Sequence, residues 1–296
     1  MKKYLQKLFS FFLGVMAINI LVTFVVDGLY YEPYTKMIRE SKDQNIKGII
    51  LADSHGLPLK QNLSDKGIVN VSWGSDSYED MDNKLQFYLD HHDLEYVIIS
   101  ADNHLLSNYR ENLNNLEASI NYVNAYETDY NFIDYAYHKY VKRYFSLVSP
   151  KNRDIFLARL KSFLKKNLVR KSWEEKEDKL ARGERRVRIH FENLRKSAVL
   201  SDDLSRMIER CEAKGVKVFG IKYPLTSAYI RAMDTANFGA DSVMEAHDCR
   251  ILDFQKVFMK RNDLFSDEDH LNPEGGKLFS DMITNNLLDS RLSMNK

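Results

Sequence analysis

Ser54 stands between an aspartate and a histidine in "IKGIILADSHG", residues 46–56, directly after an apolar run. A serine hydroxyl is a weak nucleophile at its own pKa and needs a base within hydrogen-bond reach. Far along the chain, "NDLFSDEDHLNPEGG" offers Asp267 and His270, three residues apart. His270 can take the serine proton and return it to a leaving group, while Asp267 accepts from the other ring nitrogen and stabilises the imidazolium. A tetrahedral oxyanion also needs preorganised donors. The candidates are the backbone N–H of Ser54, the N–H of Gly74 in "SWGSDS", and the side-chain amide of Asn103 in "ADNH". Gly74 suits that task because it has no side chain to cover its N–H. Each residue also has a structural reading: Ser54 as a helix N-cap, Asp267 and His270 as a capping pair, Gly74 and Asn103 as turn residues.

Trp73, beside Gly74, and Tyr223, in "KYPLTSAY", are candidate substrate contacts, although both residue types also serve as core. The Asp/His pairs at 53/55 and 102/104 have no fixed ligand spacing, so no metal is expected, and no cofactor motif is present.

The elements that must position these groups are legible as apolar runs. Strands are predicted at 48–51, 68–71, 96–100, 216–221 and 250–254, with helices over "YEDMDNKLQFYLDHH" and "SDDLSRMIERCEAKG" between them. Strand, helix, strand in repetition implies a central parallel sheet covered on both faces, a three-layer α/β/α fold of flavodoxin-like type. In such sheets functional groups gather at the carboxyl ends of strands, which is where Ser54, Gly74 and Asn103 fall. Asn272-Pro273-Glu274 begins a last helix whose buried face is Leu278, Phe279, Met282 and Ile283. Between the third and fourth strands, residues 105–200 form a helical, basic insertion. Its most highly charged part, "RKSWEEKEDKLARGERRVRIH", is expected to be mobile.

Composition is that of a globular protein, 44% hydrophobic and 29% charged over 296 residues, with a net charge of +1. That charge is unevenly spread: residues 141–200 carry 18 Lys and Arg against 7 Asp and Glu. Such a basic face suits an anionic glycan or lipid head groups, or is simply a solvated helical surface. No nucleic-acid partner is indicated.

Residues 8–26, "LFSFFLGVMAINILVTFVV", are uncharged, and three lysines precede them. As a helix they would span about 28 Å, near the thickness of a bilayer's hydrocarbon core. A retained single-pass anchor is favoured over a cleaved signal peptide, since no Ala-x-Ala site closes the segment. The lysines place the N-terminus in the cytoplasm and the rest outside a bacterial inner membrane, periplasmic or extracellular. The expected organisation is therefore a stub and anchor at 1–27, a connector at 28–45, and an α/β domain at 46–296. Cys211 and Cys249 could pair in that compartment or remain buried thiols.

The four blocks, in order, resemble those of the SGNH (GDSL-like) esterases and acyltransferases. That family has Gly-Asp-Ser after strand one, a glycine after strand two, Gly-x-Asn after strand three, and Asp-x-x-His near the C-terminus. Here they read "ADSHG", "SWGSDS", "ADNH" and "DEDH", with Ala52 and Ala101 in place of two glycines. The resemblance covers residues 46–104 and 215–290 and implies Ser-His-Asp ester chemistry through Ser54, His270 and Asp267. The anchored layout is similar to that of bacterial members that move acyl groups on surface or exported polysaccharides. This implies an acylated glycan substrate and a membrane-bound acyltransferase as partner. A non-catalytic module that binds glycan or scaffolds such a partner is the alternative.

Overall fold

A computed structural model describes the chain except residues 42–44, 60–62, 64–66, 125–129, 165–171 and 295–296, and the side chains of 286–294. The strands are β1 (Gly48–Leu51), β2 (Ile68–Asn70), β3 (Tyr96–Ser100), β4 (Lys217–Lys222) and β5 (Arg250–Asp253). They form one all-parallel sheet in the order β2-β1-β3-β4-β5. β1 lies in register with β3, Ile50 beside Ile98, and β3 with β4, Ile98 beside Phe219. All four β1 residues and all five of β3 are buried, as a sheet covered on both faces requires.

In chain order the helices are α1 (Lys2–Val26), α2 (Glu32–Ser41), α3 (Tyr78–His91), α4 (Leu116–Ser119), α5 (Phe132–Ala136) and α6 (Pro150–Leu164). They continue with α7 (Lys179–Phe191), α8 (Ala198–Ala213), α9 (Ser227–Met233), α10 (Ala240–Ala246) and α11 (Pro273–Met294). α3 begins at a capping box in which the Ser77 hydroxyl accepts from Asp80 N–H and the Asp80 carboxylate accepts from Ser77 N–H. It buries Met81, Leu85 and Tyr88 and packs on α8, which buries Leu204, Met207 and Ile208. α11 supplies Phe279 and Ile283 to a core shared with Ile50, Ile98 and Ile221.

Contacts divide the chain into two compact units, one of residues 1–40 and 116–169, the other of 41–115 and 170–296. The second holds the whole sheet. The region between β3 and β4, expected as one insertion, is thus shared between the two. In the first unit, helix continues from Lys2 to Ser41 through a widened π-type turn at Asp27–Tyr31. Its apolar part is almost wholly exposed and has the length and composition of a membrane anchor or a signal sequence.

Of the charged stretch expected to be mobile, residues 170–171 lie outside the described residues, and from 179 on it is helix α7. Val187 and Phe191 pack on Leu225, Tyr229 and Met233 around α9. Gly183 lets the two backbones meet, since a Cβ there would stand 2.7 Å from Ala228 O. Trp173, ahead of α7, is buried in the sheet's core. Cys211 and Cys249 are both free thiols.

α11 docks onto the turn that follows β1. A Cβ on Gly276 would lie 2.4 Å from Pro58 O, a backbone atom that cannot swing aside. Gly276→Ala is therefore expected to lower stability by about 1–3 kcal/mol, read as a fall in thermal midpoint.

Candidate active site

The site lies within the sheet-bearing unit, at the carboxyl ends of its strands. β1 ends at Leu51, and Ser54 opens a tight turn, Ser54–Leu59, that is held from β2: Asn70 Nδ2 donates to Gly56 O at 2.7 Å. His270 sits in a loop pinned by the antiparallel bridge between Phe265 and Leu271 and by Ser266 N–H donating to His270 O at 2.9 Å.

This framing brings residues 216 positions apart into contact. His270 Nε2 is 2.8 Å from Ser54 Oγ, and His270 Nδ1 is 2.8 Å from Asp267 Oδ1. Asp267 Oδ1 also accepts from the backbone N–H of His270 at 2.9 Å, so one carboxylate fixes both ring and backbone. The hydroxyl, the imidazole and the carboxylate form a line along which a proton can pass.

Gly74 borders the serine: a methyl added to it would stand 4.0 Å from Ser54 Cβ. Among the described residues, the backbone N–H groups of Ser54 and Gly74 donate to no backbone carbonyl. Two uncommitted donors beside the hydroxyl are what a developing oxyanion needs.

Asn103 is different. Its Nδ2 donates to Ala236 O at 3.1 Å and approaches Met233 Sδ. Its Oδ1 accepts from Lys222 Nζ at 2.9 Å and from Gln255 Nε2 at 3.3 Å. Its oxygen and one of its two N–H groups are thus engaged on the β4–β5 side, and its part among the oxyanion donors is a matter for the variant. Asn103→Ala should lower stability by about 1–3 kcal/mol through loss of the amide's bonds to Lys222, Gln255 and Ala236, although Lys222 keeps its pairing with Asp241. If these bonds are its whole role, kcat for an activated ester should change by less than about tenfold; a loss of about 100-fold or more would make the amide an oxyanion donor.

Tyr223 is buried, with its ring 6.0 Å from that of His55 and 5.7 Å from that of Phe279. Trp73 is half-buried, and its backbone N–H donates to Ala52 O at 3.2 Å, which ties the β2 end to the nucleophile turn.

Below the line lies a buried charged cluster that the sequence did not announce. Asp269 Oδ1 lies 3.2 Å from His270 Nδ1, so the imidazole is flanked by two carboxylates, one half-exposed and one buried. Asp269 Oδ2 accepts from Arg186 Nε at 2.8 Å and faces His55 Nε2 at 3.5 Å. His55 Nδ1 donates to Asp102 Oδ2 at 2.7 Å. Asp53 Oδ2 accepts from Arg110 at 3.1 Å and lies 3.4 Å from His104. His104 stacks on His190 at 4.3 Å, and His190 pairs with the Tyr229 hydroxyl at 2.6 Å.

Burial alone would lower the His55 pKa, but Asp53, Asp102 and Asp269 together raise it well above the ordinary histidine value. Burial would raise Asp53 and Asp269; the charge of His55 and the contacts of His104 and Arg110 hold Asp53 well below the carboxylate range. His270, His55 and Arg186 do the same for Asp269. Burial lowers His104, and burial with the nearby His104 lowers His190 further, so both are neutral. The cluster thus sets three carboxylates against two guanidiniums and one imidazolium, a neutral set, which is how buried charges persist.

Asp53, His55 and Asp102, and separately His55, Asp269 and His270, are close enough to share a metal ion. His55 belongs to both groups, and each of its nitrogens already faces a carboxylate. His270 behaves like His55: desolvation lowers its pKa, but the hydrogen bonds of Asp267 and Asp269 outweigh this and raise it to about 9.

No protein-family model matches the sequence, and no curated protein matches it. Solved structures do. Its structural neighbours are GDSL-like lipases and esterases. A GDSL-like lipase from Bacteroides thetaiotaomicron is similar over 88% of this chain and 99% of its own, at 8% identity and a TM-score of 0.45. An acetyl xylan esterase is similar over 81% and 98%, at 11% identity and a TM-score of 0.35. The esterase AlinE4 is similar over 83% and 96%, at 13% identity and a TM-score of 0.34. At such identities and scores no residue role passes from those proteins to this one. The chemistry rests on the distances given above.

Proposed function

We propose that this protein is a membrane-anchored, extracytoplasmic serine esterase or O-acyltransferase acting on acyl groups, acetyl foremost, of a surface or exported polysaccharide. The observation that carries the ester chemistry is the contact of Ser54 Oγ with His270 Nε2 at 2.8 Å, with Asp267 on the far side of the ring.

With His270 neutral, the Ser54 hydroxyl donates to Nε2. As Oγ attacks the ester carbonyl, its proton moves to Nε2, and Asp267 accepts from Nδ1–H of the resulting imidazolium. The carbonyl oxygen becomes an oxyanion beside the N–H groups of Ser54 and Gly74. The intermediate collapses when the C–O bond to the alcohol breaks; Nε2–H protonates that alcohol and the acyl group remains on Oγ. A second hydroxyl, from water or from a sugar, then gives its proton to Nε2 and attacks the acyl carbon; the bond to Oγ breaks as Nε2–H returns a proton to it, which restores Ser54 and neutral His270.

A glycan acceptor is supported by the basic excess of residues 141–200 and by Trp73 beside Gly74, an aromatic face of the kind that sugars stack on. A membrane-bound acyltransferase partner follows from the anchored layout. Labelling Ser54 with a fluorophosphonate tests the nucleophile; in a separate sample, acetylating Ser54 with an activated acetyl ester and testing which hydroxyl discharges the acetyl group separates the choices. Discharge by water alone makes it a hydrolase; discharge accelerated by an oligosaccharide makes it a transferase. Failure of the probe to label Ser54 in the folded protein overturns the proposal.

A further inference from the structure

α1 carries two hydrogen-bonding side chains inside its apolar run, Asn19 and Thr23, one turn apart. In hydrocarbon such groups need partners from the protein itself. Both find them in one short segment. Asn19 Nδ2 donates to Tyr144 O at 2.8 Å, and Asn19 Oδ1 accepts from Leu147 N–H at 3.2 Å. Thr23 Oγ1 bonds Ser146 Oγ at 3.0 Å. One turn further along α1, Asp27 Oδ1 accepts from Arg143 Nε and Nη2 at 3.0 and 2.6 Å. Residues 143–147 therefore descend α1 from its charged end into its apolar run.

That register fixes depth. Asn19 lies seven residues before Val26, about 10 Å below the end of the apolar run on a straight helix. Residues 144–148 sit at that level, and what they expose is apolar: Tyr144 is 50% exposed, Phe145 53% and Val148 63%. The flanking helices match. Ile133, Tyr137, Tyr140, Val141 and Tyr144 recur at helical spacing and are exposed, as are Leu157, Leu160 and Phe163 on α6, which packs against α1. Interleaved with them, residues 139–164 hold seven Lys and Arg against a single Asp. Water-facing helices do not expose such rows, whereas a helix lying in a membrane surface does, with aromatic and basic residues at head-group level.

We infer that residues 132–164 form a second membrane contact, seated in the leaflet where α1 emerges, with their apolar rows among acyl chains and their basic residues at acidic head groups. The inference rests on α1 being a retained membrane helix, as in the function proposed above. The occupant is lipid because the segment's depth is tied by hydrogen bonds to a helix whose own surroundings are lipid, and because its basic excess complements anionic head groups.

The test uses the full chain in vesicles of phosphatidylglycerol and phosphatidylcholine, the latter brominated on its acyl chains. Single variants Val148→Trp and Phe163→Trp are compared with Phe12→Trp, which reports on α1, and with the parent protein. Loss of the added emission in all three supports the inference. Loss at Phe12→Trp alone, with either of the other two still bright, overturns it and leaves the anchor standing; the face would then be covered by protein, glycan or water. Emission retained in all three overturns both.

Discussion

Ser54→Ala is expected to lower kcat/KM for p-nitrophenyl acetate by about 10,000-fold or more while the thermal midpoint stays near that of the parent. The size follows from what the hydroxyl does: without it no acyl-enzyme forms, and only binding and the oxyanion donors remain to assist water. The midpoint should hold because, among the described residues, the Ser54 hydroxyl makes a single side-chain hydrogen bond, to a partly exposed histidine. His270→Ala should cost about as much, and the double variant no more than either single one, because groups that act as one unit are not additive. Parallel rates for parent and Ser54→Ala would remove the catalytic reading and favour a glycan-binding or scaffolding role, which would also survive loss of His270.

The parts legible in sequence and the parts that were not differ for a physical reason. The strands were visible because segments such as Gly48–Leu51 and Tyr96–Ser100 are buried on both faces and so must be apolar throughout. Ser54, Asp267 and His270, which the structure brings into contact, stand out in the sequence because strand ends and the last loop are places where polar residues need a reason. Position, however, does not fix a rotamer. Asn103 lies where the strand-end rule puts it, yet Lys222 and Gln255 take its oxygen and Ala236 takes its nitrogen, partners contributed by distant elements. Arg186 and His190 are four apart on α7 and so share one face, but in a stretch dense with charge that face is indistinguishable from a solvated one until Gly183 and Val187 are seen against α9. In "DEDH" the spacing of three marks Asp267, whereas nothing in the sequence marks Asp269, the carboxylate immediately before the histidine, as the buried one.

The two carboxylates on His270 have a kinetic consequence. A general base must be neutral, and the pKa of His270 is raised to about 9, burial being outweighed by Asp267 and Asp269. kcat/KM for an activated ester should therefore climb about tenfold per pH unit through neutrality and level off above about 9, a more alkaline profile than an ordinary histidine base gives. Asp267→Asn removes the group that fixes the ring, so it should depress the rate at every pH. Asp269→Asn leaves that bond in place and should instead move the inflexion toward acid, raising the rate at pH 7 relative to the plateau. Stability runs the opposite way. His270 and His55 both have folded pKa values above their unfolded ones, so the stability they contribute is complete below about 6.5 and is lost as pH rises, for His270 through about 9. Asp53 and Asp269, depressed in the fold, contribute above about 3.9 and lose that contribution as pH falls. The thermal midpoint should thus be highest between these limits and decline over the range in which the rate is still rising. A rate profile that levels near pH 6.5, unmoved by Asp269→Asn, would mean that the buried carboxylate does not act on the base.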